Sequence, residues 1–352
     1  MTKSVVDKTS TGVTPWISFA SWVVERIGVA LIGNPRHGAV TVVFPNGRTR
    51  TVGNAATGEH AVLRGQPAIV CAISRRMKVT LVPREDEAVL LHSALGKHRT
   101  TLDELAPNDS FRFVLGAIRA VREGLPQGFE LDIRSGMSHQ MGLGTSAAVT
   151  VATLAALSGA RGETPDPRQL LEAGVKIIRK AQGGVGSGAD VAASTYGGCL
   201  RYFAESQEAV VLPTAPKLTV LYSGSKMPTP EVVAIVEENR QNQPDIFNKI
   251  EALIGDTVQR AFAAAATEDW ETVGELMDIH QGLMDAMGVN NAELSELVYA
   301  LREDPNILGS KISGSGLGDC VVGLGKAMRR EWGVPSLAIK VDAEGARVEE
   351  KP

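Results

Sequence analysis

The sequence predicts an α+β protein of two lobes, and three observations support this. The chain has 352 residues, a length that suggests two or three domains at about 150 residues each. Strand-like and helical patterns alternate as far as residue 222, whereas residues 231–302 are helical almost throughout. The segment 206–217 separates two predicted strands and is a candidate domain boundary. We therefore expect a mixed first lobe and a largely helical second lobe that ends in a strand.

Composition and charge exclude several classes of protein. Hydrophobic residues make up 43% of the chain and charged residues 22%, which is typical of a globular protein. The 36 basic and 40 acidic residues give a net charge of −4, so no nucleic-acid partner is expected. The three cysteines lie far apart, without the spacing of a zinc site or a disulfide framework, which indicates a reducing compartment. We expect Cys71, Cys199 and Cys320 to be small buried hydrophobic residues.

No stretch of the sequence predicts a membrane span. A span needs about 18 uninterrupted apolar residues, and the nearest candidate, residues 17–32, contains Glu25 and Arg26. Pro15 and the same charge pair also break the apolar run that a secretory signal would need. We therefore predict a cytoplasmic protein without a membrane partner.

In the first half of the chain, turn residues and spacing predict the elements. Pro-Asn-Gly between two β-rich segments is typical of a hairpin, and apolar residues at intervals of three and four are typical of a helix. The predicted elements are a helix at 18–31, a hairpin of 39–44 and 48–52, strands within 68–83, a helix at 101–123 and a strand at 129–133.

In the second half, alanine- and leucine-rich segments with helical spacing predominate. Helices are predicted at 147–157, 168–181, 231–239, 245–265, 270–287 and 292–302. Strands are predicted at 199–203, 218–222 and 320–324, and a polar tail follows. These elements place each of the motifs described next at the end of a helix or a strand.

A glycine-rich turn opens the helix predicted at 147–157. Gly142 and Gly144 let the backbone curl closely around a ligand, and the amides of this turn can converge on an anion at the helix N-terminus. Thr145 and Ser146 add hydroxyl groups for phosphate or Mg²⁺, and Ala147 keeps the first helical turn slim. The turn lacks the Gly-Lys-Ser/Thr ending of a Walker loop. A plain strand-to-helix turn is the alternative interpretation.

A second glycine-rich segment, residues 183–190, ends at Asp190. This carboxylate stands among small and apolar residues, and a buried carboxylate needs either a partner or a catalytic task. The alternative is that Asp190 caps the helix that follows, because aspartate is a favoured N-cap residue.

Two further segments carry polar groups on an apolar background. In residues 311–320, glycines alternate with small hydroxyl residues before a β-rich run, so this loop can approach a ligand at backbone distance. A bulge or tight turn is the alternative. In residues 58–68, Glu59 and His60 are adjacent, and an ordinary surface pair is the alternative there.

Taken in this order, the four segments resemble the motifs of the GHMP kinase superfamily, which are small-molecule kinases without a Walker loop. Residues 142–148 resemble its phosphate loop and residues 311–320 its third motif. Residues 58–68 resemble the first motif in its mevalonate kinase form, and residues 186–198 resemble the segment that carries the catalytic aspartate. The segment 277–294 is also similar to mevalonate kinases.

The resemblance implies a fold and its division into domains. It implies a two-lobed GHMP kinase fold, with an N-terminal lobe like ribosomal protein S5 domain 2 and a ferredoxin-like C-terminal lobe of helices and sheet. Residues 51–205 would be the ATP-binding domain and residues 216–345 the C-terminal domain, behind an unexplained extension of residues 1–50. Relatives of this kind are commonly dimers, so a homodimer is expected.

The resemblance also implies roles for individual residues. Asp190 would be the catalytic residue, orienting or deprotonating the attacking hydroxyl, and Ser146, with Thr145 as the alternative, would bind Mg²⁺. ATP would be bound by Gly142, Leu143, Gly144, Thr145, Ser146 and Ala147. The acceptor substrate would be bound by Glu59, His60, Ser313, Gly314, Ser315 and Gly316. The activity implied is ATP- and Mg²⁺-dependent phosphorylation of mevalonate to 5-phosphomevalonate.

Three departures from the family pattern keep alternatives open. The first motif normally opens with Ala-Pro-Gly and often a lysine, whereas residues 50–57 contain neither proline nor lysine. Residues 177–179 contain no counterpart of the Mg²⁺-binding glutamate of animal mevalonate kinases. Residues 186–192 and 318–320 also resemble phosphomevalonate kinases. A phosphomevalonate kinase, with Arg64, Arg75, Arg76 and Lys226 as candidate phosphate ligands, and a catalytically impaired ligand-binding protein are therefore the alternatives.

Overall fold

The structure is a computed structural model that describes residues 40–44, 58–74, 76–125, 127–135 and 145–349. Its first lobe contains a mixed sheet. The strands of this sheet are β1 (Val40–Phe44), β3 (Met77–Pro83), β4 (Ala88–Ser93), β5 (Gly96–Thr101), β6 (Phe129–Ser135) and β13 (Arg347–Glu349). Their order is β13-β1-β3-β6-β4-β5, and β4 runs parallel to β6 while the other neighbours are antiparallel. On β3, alternate residues are buried, as expected of a strand with one face on the core.

Helices cover one face of this sheet. They are α1 (Arg112–Val121), α2 (Thr145–Ala160), α3 (Pro167–Ala181) and α4 (Ala189–Tyr196). The buried α2 lies over β1 and β3, and the other three pack against it. Gly174 lets α3 approach α4 closely, because a methyl group there would lie 2.6 Å from Val191 Cγ1.

The predicted helix at 101–123 is wrong at its start. The α1 helix begins at Arg112, and a 3-10 turn over Asp109–Phe111 precedes it. The Asn108 side chain accepts a hydrogen bond from Ser110 N at 3.0 Å, which caps this turn. Thr101 is instead the last residue of β5. The helical spacing of apolar residues therefore begins only with α1, whose buried face they form.

The second lobe is a four-stranded antiparallel sheet with helices packed on it. Its strands are β9 (Lys217–Tyr222), β10 (Ser310–Ser313), β11 (Cys320–Leu324) and β12 (Ser336–Lys340), in the order β10-β11-β9-β12. The helices are α5 (Thr229–Asn242), α6 (Pro244–Ala266), α7 (Trp270–Ala286) and α8 (Ala292–Arg302). Each helix predicted between 231 and 302 is thus confirmed, with bounds that differ by at most three residues.

A small antiparallel sheet joins the lobes. It consists of β2 (Ala68–Cys71), β7 (Cys199–Tyr202) and β8 (Ala209–Val211). Cys71 faces Cys199 across this sheet, and with Cys320 both are buried in one hydrophobic cluster, as predicted for all three cysteines. Hydrogen bonding to Cys199 and burial raise the pKa of the Cys71 thiol well above its usual value. The β8 strand lies inside the segment 206–217.

Most of the strands that the sequence did not predict are short or lie at the edge of a sheet, and β4, inside the first sheet, is the exception. Along β5 the residues are mostly exposed, and β12 is half-exposed, so neither has the apolar alternation of a buried strand. The three residues of β13 pair with β1, so the end of the described chain returns to the first lobe. Strand β1 confirms the prediction for 39–44, and the predicted helix at 18–31 and the second hairpin strand at 48–52 lie outside the described residues.

None of the helices in the described part of the chain is both long enough and apolar enough to cross a membrane.

Candidate active site

Three of the predicted motifs meet around one small cavity of about 100 Å³ between the lobes. Its polar lining includes Glu59 and His60, which precede a 3-10 turn, and Ser187, which precedes α4. Gly314 and Ser315 follow β10 and line the same cavity. Its apolar wall is formed by Val62, Leu63, Ala68, Val70, Val185 and Val233. The structure thus brings segments of both lobes together where the sequence predicted acceptor-binding residues. Ser313 and Gly316 flank the two lining residues of the loop and are not themselves in the lining.

His60 closes the first motif against the third. Its backbone is left-handed, with φ of 57°, and its Nε2 lies 2.8 Å from the carbonyl oxygen of Ser315. Because a carbonyl can only accept a hydrogen bond, Nε2 carries the proton and Nδ1 is left as an acceptor. Burial lowers the pKa of His60 despite the raising effects of Ser315 and Glu59. The side chain is 9% exposed, so a neutral imidazole with an acceptor nitrogen borders the cavity.

Glu59 directs its carboxylate into a buried charge cluster. Oε1 accepts a hydrogen bond from Lys311 Nζ at 2.6 Å, and Oε2 lies 3.1 Å from His280 Nε2. Burial alone would raise the pKa of Glu59, but Lys311 and His280 outweigh it and lower the pKa from 4.5 to about 2. Glu59 is therefore a carboxylate that ties the first motif to the second lobe.

Lys311 and His280 complete this cluster, and both side chains are 0% exposed. Burial lowers the pKa of Lys311 although Glu59 opposes it, and burial together with Lys311 lowers the pKa of His280. Lys311 also donates a hydrogen bond to the carbonyl oxygen of Ile312. Neither residue is predicted from the sequence as a functional residue. The available signal was weak, because Lys311 is one polar residue in a short strand that also contains two serines.

Side chains of α7 hold the outer edge of β10. Asp278 Oδ1 accepts a hydrogen bond from Ser310 N at 2.9 Å, and Gln281 Oε1 accepts one from Ile312 N at 2.7 Å. These two amides point away from β11, and at an edge strand they would otherwise lack a partner in the sheet. The helix thus fixes the strand from which the 314–319 loop leaves.

The 314–319 loop is wound in left-handed backbone conformations. Gly314, Gly316 and Gly318 have φ of 88°, 86° and 128°. Gly316 is also sterically required, because a methyl group there would lie 2.3 Å from the carbonyl oxygen of Val289. At the end of the loop, Asp319 forms an ion pair of 2.5 Å with Lys226. The loop therefore packs closely against the turn between α7 and α8, and it also borders the cavity.

Asp190 lies in the first turn of α4, next to the cavity-lining residue Ala189. It is half-buried, with its Oδ1 oxygen inaccessible to solvent. The N-cap of α4 is Gly188, with φ of 87° and no side-chain cap, so the N-cap interpretation of Asp190 is wrong. Gly188 packs against α3 and β7, where a methyl group would lie 2.5 Å from Val175 Cγ2. Asp190 therefore lies within the first turn of α4 and not at its N-cap position.

The predicted phosphate turn is described only from Thr145 onward. Gly142, Leu143 and Gly144 lie outside the described residues, and Thr145 is the first residue of α2. Ser146 is half-buried and lines a second, larger cavity, whereas the Ala147 side chain is buried in the core of the first lobe.

This large cavity has a volume of about 630 Å³, the size of an ordinary small-ligand site. It lies between β6, the β4–β5 hairpin and the start of α1. Its walls are formed by Met77, Phe111, Phe113, Val114, Ile133 and Val149, with polar groups from His92, Asp109, Asp132, Arg134, Ser135 and Ser146. The sequence did not predict this cavity, because its walls come from five separate segments without a common motif.

The candidate phosphate ligands proposed for phosphomevalonate each have an acidic partner where they are described. Arg64 pairs with Glu237, Arg76 with Asp342 at 3.1 Å, and Lys226 with Asp319. Arg75 lies outside the described residues. Within the described ranges, no lysine or arginine lines the small cavity, and no cluster of three His, Cys, Asp or Glu side chains could hold a metal ion.

Two family models match this chain. The model of the GHMP kinases N terminal domain matches residues 112–198, and that of the GHMP kinases C terminal domain matches residues 261–331. The mevalonate kinase of Thermococcus sibiricus is 32% identical over 320 residues, covering 83% of this chain and 95% of that protein.

Solved structures match over most of the chain as well. The crystal structure of the Methanococcus jannaschii mevalonate kinase has a TM-score of 0.65 at 22% identity, covering 82% of this chain and 90% of that one. A Streptococcus pneumoniae phosphomevalonate kinase in complex with phosphomevalonate and AMPPNP has a TM-score of 0.63 at 19% identity, covering 82% and 92%. At these identities the two likenesses establish the shared fold, and the predicted two-lobed α+β architecture is confirmed.

Proposed function

Because this chain belongs to the GHMP kinase family, we propose that it is a kinase that phosphorylates mevalonate to 5-phosphomevalonate with ATP. The observation that carries the proposal is the 32% identity to a mevalonate kinase across both lobes. The first motif, the third motif and the residues before α4 surround one small cavity, which supports a single acceptor site there.

The lining of the small cavity supports a small hydroxy acid as the acceptor. Its valine and leucine side chains suit a short carbon skeleton, and the acceptor nitrogen of His60 suits a hydroxyl donor. Mevalonate carries one carboxylate, whereas phosphomevalonate adds a phosphate that would need further cations. The pairing of Arg64, Arg76 and Lys226 with carboxylates therefore favours mevalonate.

The large cavity is the proposed site of the nucleotide. Its apolar walls suit a purine base, and Ser146 lies in its lining at the first turn of α2. With the base in this cavity, the phosphates of the nucleotide would extend to the N-terminus of α2, a 16-residue helix. The amides and the dipole at a helix N-terminus favour anions. The amides of residues 142–146 would supply the remaining donors. A Ser hydroxyl also fits Mg²⁺, which takes few protein ligands beside phosphate oxygens.

In the proposed reaction, the acceptor hydroxyl oxygen forms a bond to the γ-phosphorus while the bond to the β–γ bridging oxygen breaks. Asp190 orients the hydroxyl and takes up its proton, and ADP leaves. Bound Mg²⁺ would neutralise charge on the phosphates, with Ser146 as its protein ligand. No lysine stands in residues 50–57, so positioning and the helix dipole carry more of the charge stabilisation here than in the family pattern. The buried free cysteines suit work in the reducing cytoplasm, where we place the enzyme.

A coupled ADP-release assay tests the proposal with mevalonate and phosphomevalonate as separate acceptors. We expect turnover with mevalonate and none above background with phosphomevalonate. Turnover with phosphomevalonate alone would make the protein a phosphomevalonate kinase. Nucleotide binding without turnover on either acceptor would support the impaired ligand-binding alternative.

Asp190→Asn is the matching variant. It removes the proton acceptor and keeps the size of the side chain, so kcat should fall by orders of magnitude while ATP affinity stays nearly unchanged. Isothermal titration with a non-hydrolysable ATP analogue measures that affinity. A variant with nearly the wild-type rate would remove Asp190 from the proposed role.

A further inference from the structure

The imidazole of His280 has no part in the proposed reaction and yet is completely buried behind the small cavity. It lies on α7 and does not line the cavity. One ring nitrogen, Nε2, lies 3.1 Å from Glu59 Oε2, and the other, Nδ1, lies 3.5 Å from Thr257 Oγ1. A buried polar ring between two helices and a carboxylate is costly unless its hydrogen bonds are specific.

The partners determine which ring nitrogen carries the proton. Thr257 Oγ1 donates its hydrogen to the carbonyl oxygen of Ile254 at 2.7 Å, so the 3.5 Å contact to His280 is a secondary one. The ionised carboxylate of Glu59 can only accept. The proton is therefore assigned to Nε2, the nitrogen that makes a close polar contact of 3.1 Å with the Glu59 carboxylate.

This close contact lies on the side of the Glu59 carboxylate opposite to Lys311 and limits how the carboxylate can turn. Lys311 holds Oε1 and His280 holds Oε2, so the carboxylate plane is fixed from two directions. Glu59 directly precedes His60, whose ring reaches Ser315, and Lys311 lies four residues before Ser315. The contacts of Glu59 with Lys311 and of His60 with Ser315 therefore connect the first motif on one side of the cavity with the third motif on the other.

We propose that His280 is a positioning residue for the acceptor substrate, which acts through Glu59 and never contacts the substrate itself. By holding Oε2, it keeps the Glu59–Lys311 pair aligned and thereby sets the position of His60 at the cavity. The identity of the acceptor in this inference rests on the proposed function. The ATP site is lined by other segments, so the effect is specific to the acceptor.

Three variants test the inference by steady-state kinetics. His280→Leu removes the donor, His280→Gln keeps an N–H at the same distance along the side chain, and Thr257→Val alters the opposite side of the ring. We expect His280→Leu to raise KM for mevalonate by about 10- to 100-fold, because the buried Glu59 carboxylate loses its polar contact on one side. KM for ATP should change by less than about 2-fold. His280→Gln should restore most of the affinity, and Thr257→Val should behave like wild type.

Equal rises of both KM values, or a Gln variant no better than the Leu variant, would overturn the inference and leave His280 a packing residue. If His280→Leu does not fold, His280→Asn replaces it, because asparagine keeps a polar group but is too short to reach Oε2. The Asn variant should show the same selective rise in KM for mevalonate.

A measurement without substrate separates this inference from the proposed function. The chain contains six histidines, so ¹⁵N-detected imidazole spectra can report the tautomer of His60. In wild type, His60 should be protonated at Nε2, and in His280→Leu this tautomer should give way to a mixture. An unchanged His60 signal would overturn the inference whatever the acceptor proves to be. Lack of turnover with mevalonate would overturn only the proposed function.

Discussion

At the scale of single residues, the pair of Glu59 and Lys311 is the most informative feature of the site. Both charges are buried, and burying an ion pair costs desolvation energy that the attraction only partly offsets. Such a pair is therefore weak as a source of stability. Its value here is geometric, because it joins residues that are 252 positions apart and places two motifs at one cavity.

Lys311→Met should destabilise the fold strongly, because it leaves the Glu59 carboxylate buried beside a neutral imidazole. We expect the free energy of unfolding at pH 8 to fall by about 3–5 kcal/mol in urea titrations. The double variant Lys311→Met, Glu59→Gln should recover part of this loss. Arg168→Met, which breaks an exposed ion pair with Glu172, is the control and should change little. A Lys311→Met variant as stable as this control would contradict the buried ion pair.

His280 should make stability depend on pH between about 5 and 8. Burial and Lys311 lower its pKa in the folded state below the value of 6.5 expected of the unfolded chain. The unfolded state then binds more protons as the pH falls through 6.5, so folding loses stability on acidification, by at most about 1.4 kcal/mol per pH unit. The Glu59 carboxylate, with its pKa near 2, does not contribute until the pH falls below 4.5.

The measurement compares wild type with His280→Gln in urea titrations from pH 8 to pH 5. The stability advantage of wild type over the variant should shrink as the pH falls below 6.5. A constant difference across this range would show that His280 titrates normally in the folded protein. His60 is present in both proteins, so its own lowered pKa cancels in the comparison.

At the scale of elements, the 314–319 loop depends on the turn that follows α7. Leu317 N donates a hydrogen bond to the carbonyl oxygen of Val289 at 2.8 Å, and Gly316 packs against the same carbonyl. Gly316→Ala combines a left-handed φ of 86° with a steric clash. It should therefore destabilise the protein and raise KM for the acceptor, because the loop must shift away from the cavity.

The matched control for Gly316→Ala is Gly333→Ala, at φ of 69° with no atom near the added methyl group. This control should cost about 1 kcal/mol, the strain of the left-handed backbone alone, and leave KM unchanged. Thermal unfolding and acceptor kinetics on both variants measure the difference. Equal effects of the two substitutions would argue against a packed loop.

Also at this scale, the predictable elements were those with strong periodicity. The helices of the second lobe followed from their apolar spacing, and Asn291, which caps α8 through Leu294 N at 2.8 Å, agrees with the predicted start at 292. Strand β5 could not be predicted, because it lies at a sheet edge and has no apolar residue to alternate with its polar ones. The start of α1 was missed because the apolar face alone does not show where a cap interrupts the chain.

At the scale of the whole molecule, the motifs predicted residues that line the candidate site but not the charge cluster behind it. Residues 58–60, Ser187 and the 314–315 pair line one cavity, and the sequence had singled out Glu59, His60 and the 313–316 loop as acceptor-binding residues. His280 could not be predicted, because its role depends on the packing of α7 behind β10 rather than on a local pattern. The large cavity depends in the same way on the arrangement of separate strands and helices.

The two cavities that the predicted motifs line differ in their chemistry. The small one is lined by both lobes and holds a neutral histidine next to a sealed ion pair, whereas the large one belongs to the first lobe. Arg64, Arg76 and Lys226 each pair with a carboxylate, and this pairing is the basis on which we propose an acceptor without a phosphate.

The most direct test of this account is the ³¹P NMR spectrum of the products formed from ATP, Mg²⁺ and mevalonate. The account predicts the two resonances of ADP together with one new phosphomonoester resonance of equal intensity, which couples to the methylene protons of the phosphorylated carbon. With phosphomevalonate as the acceptor, the spectrum should remain that of the starting materials. A new diphosphate pair from phosphomevalonate, with no monoester formed from mevalonate, would contradict the account.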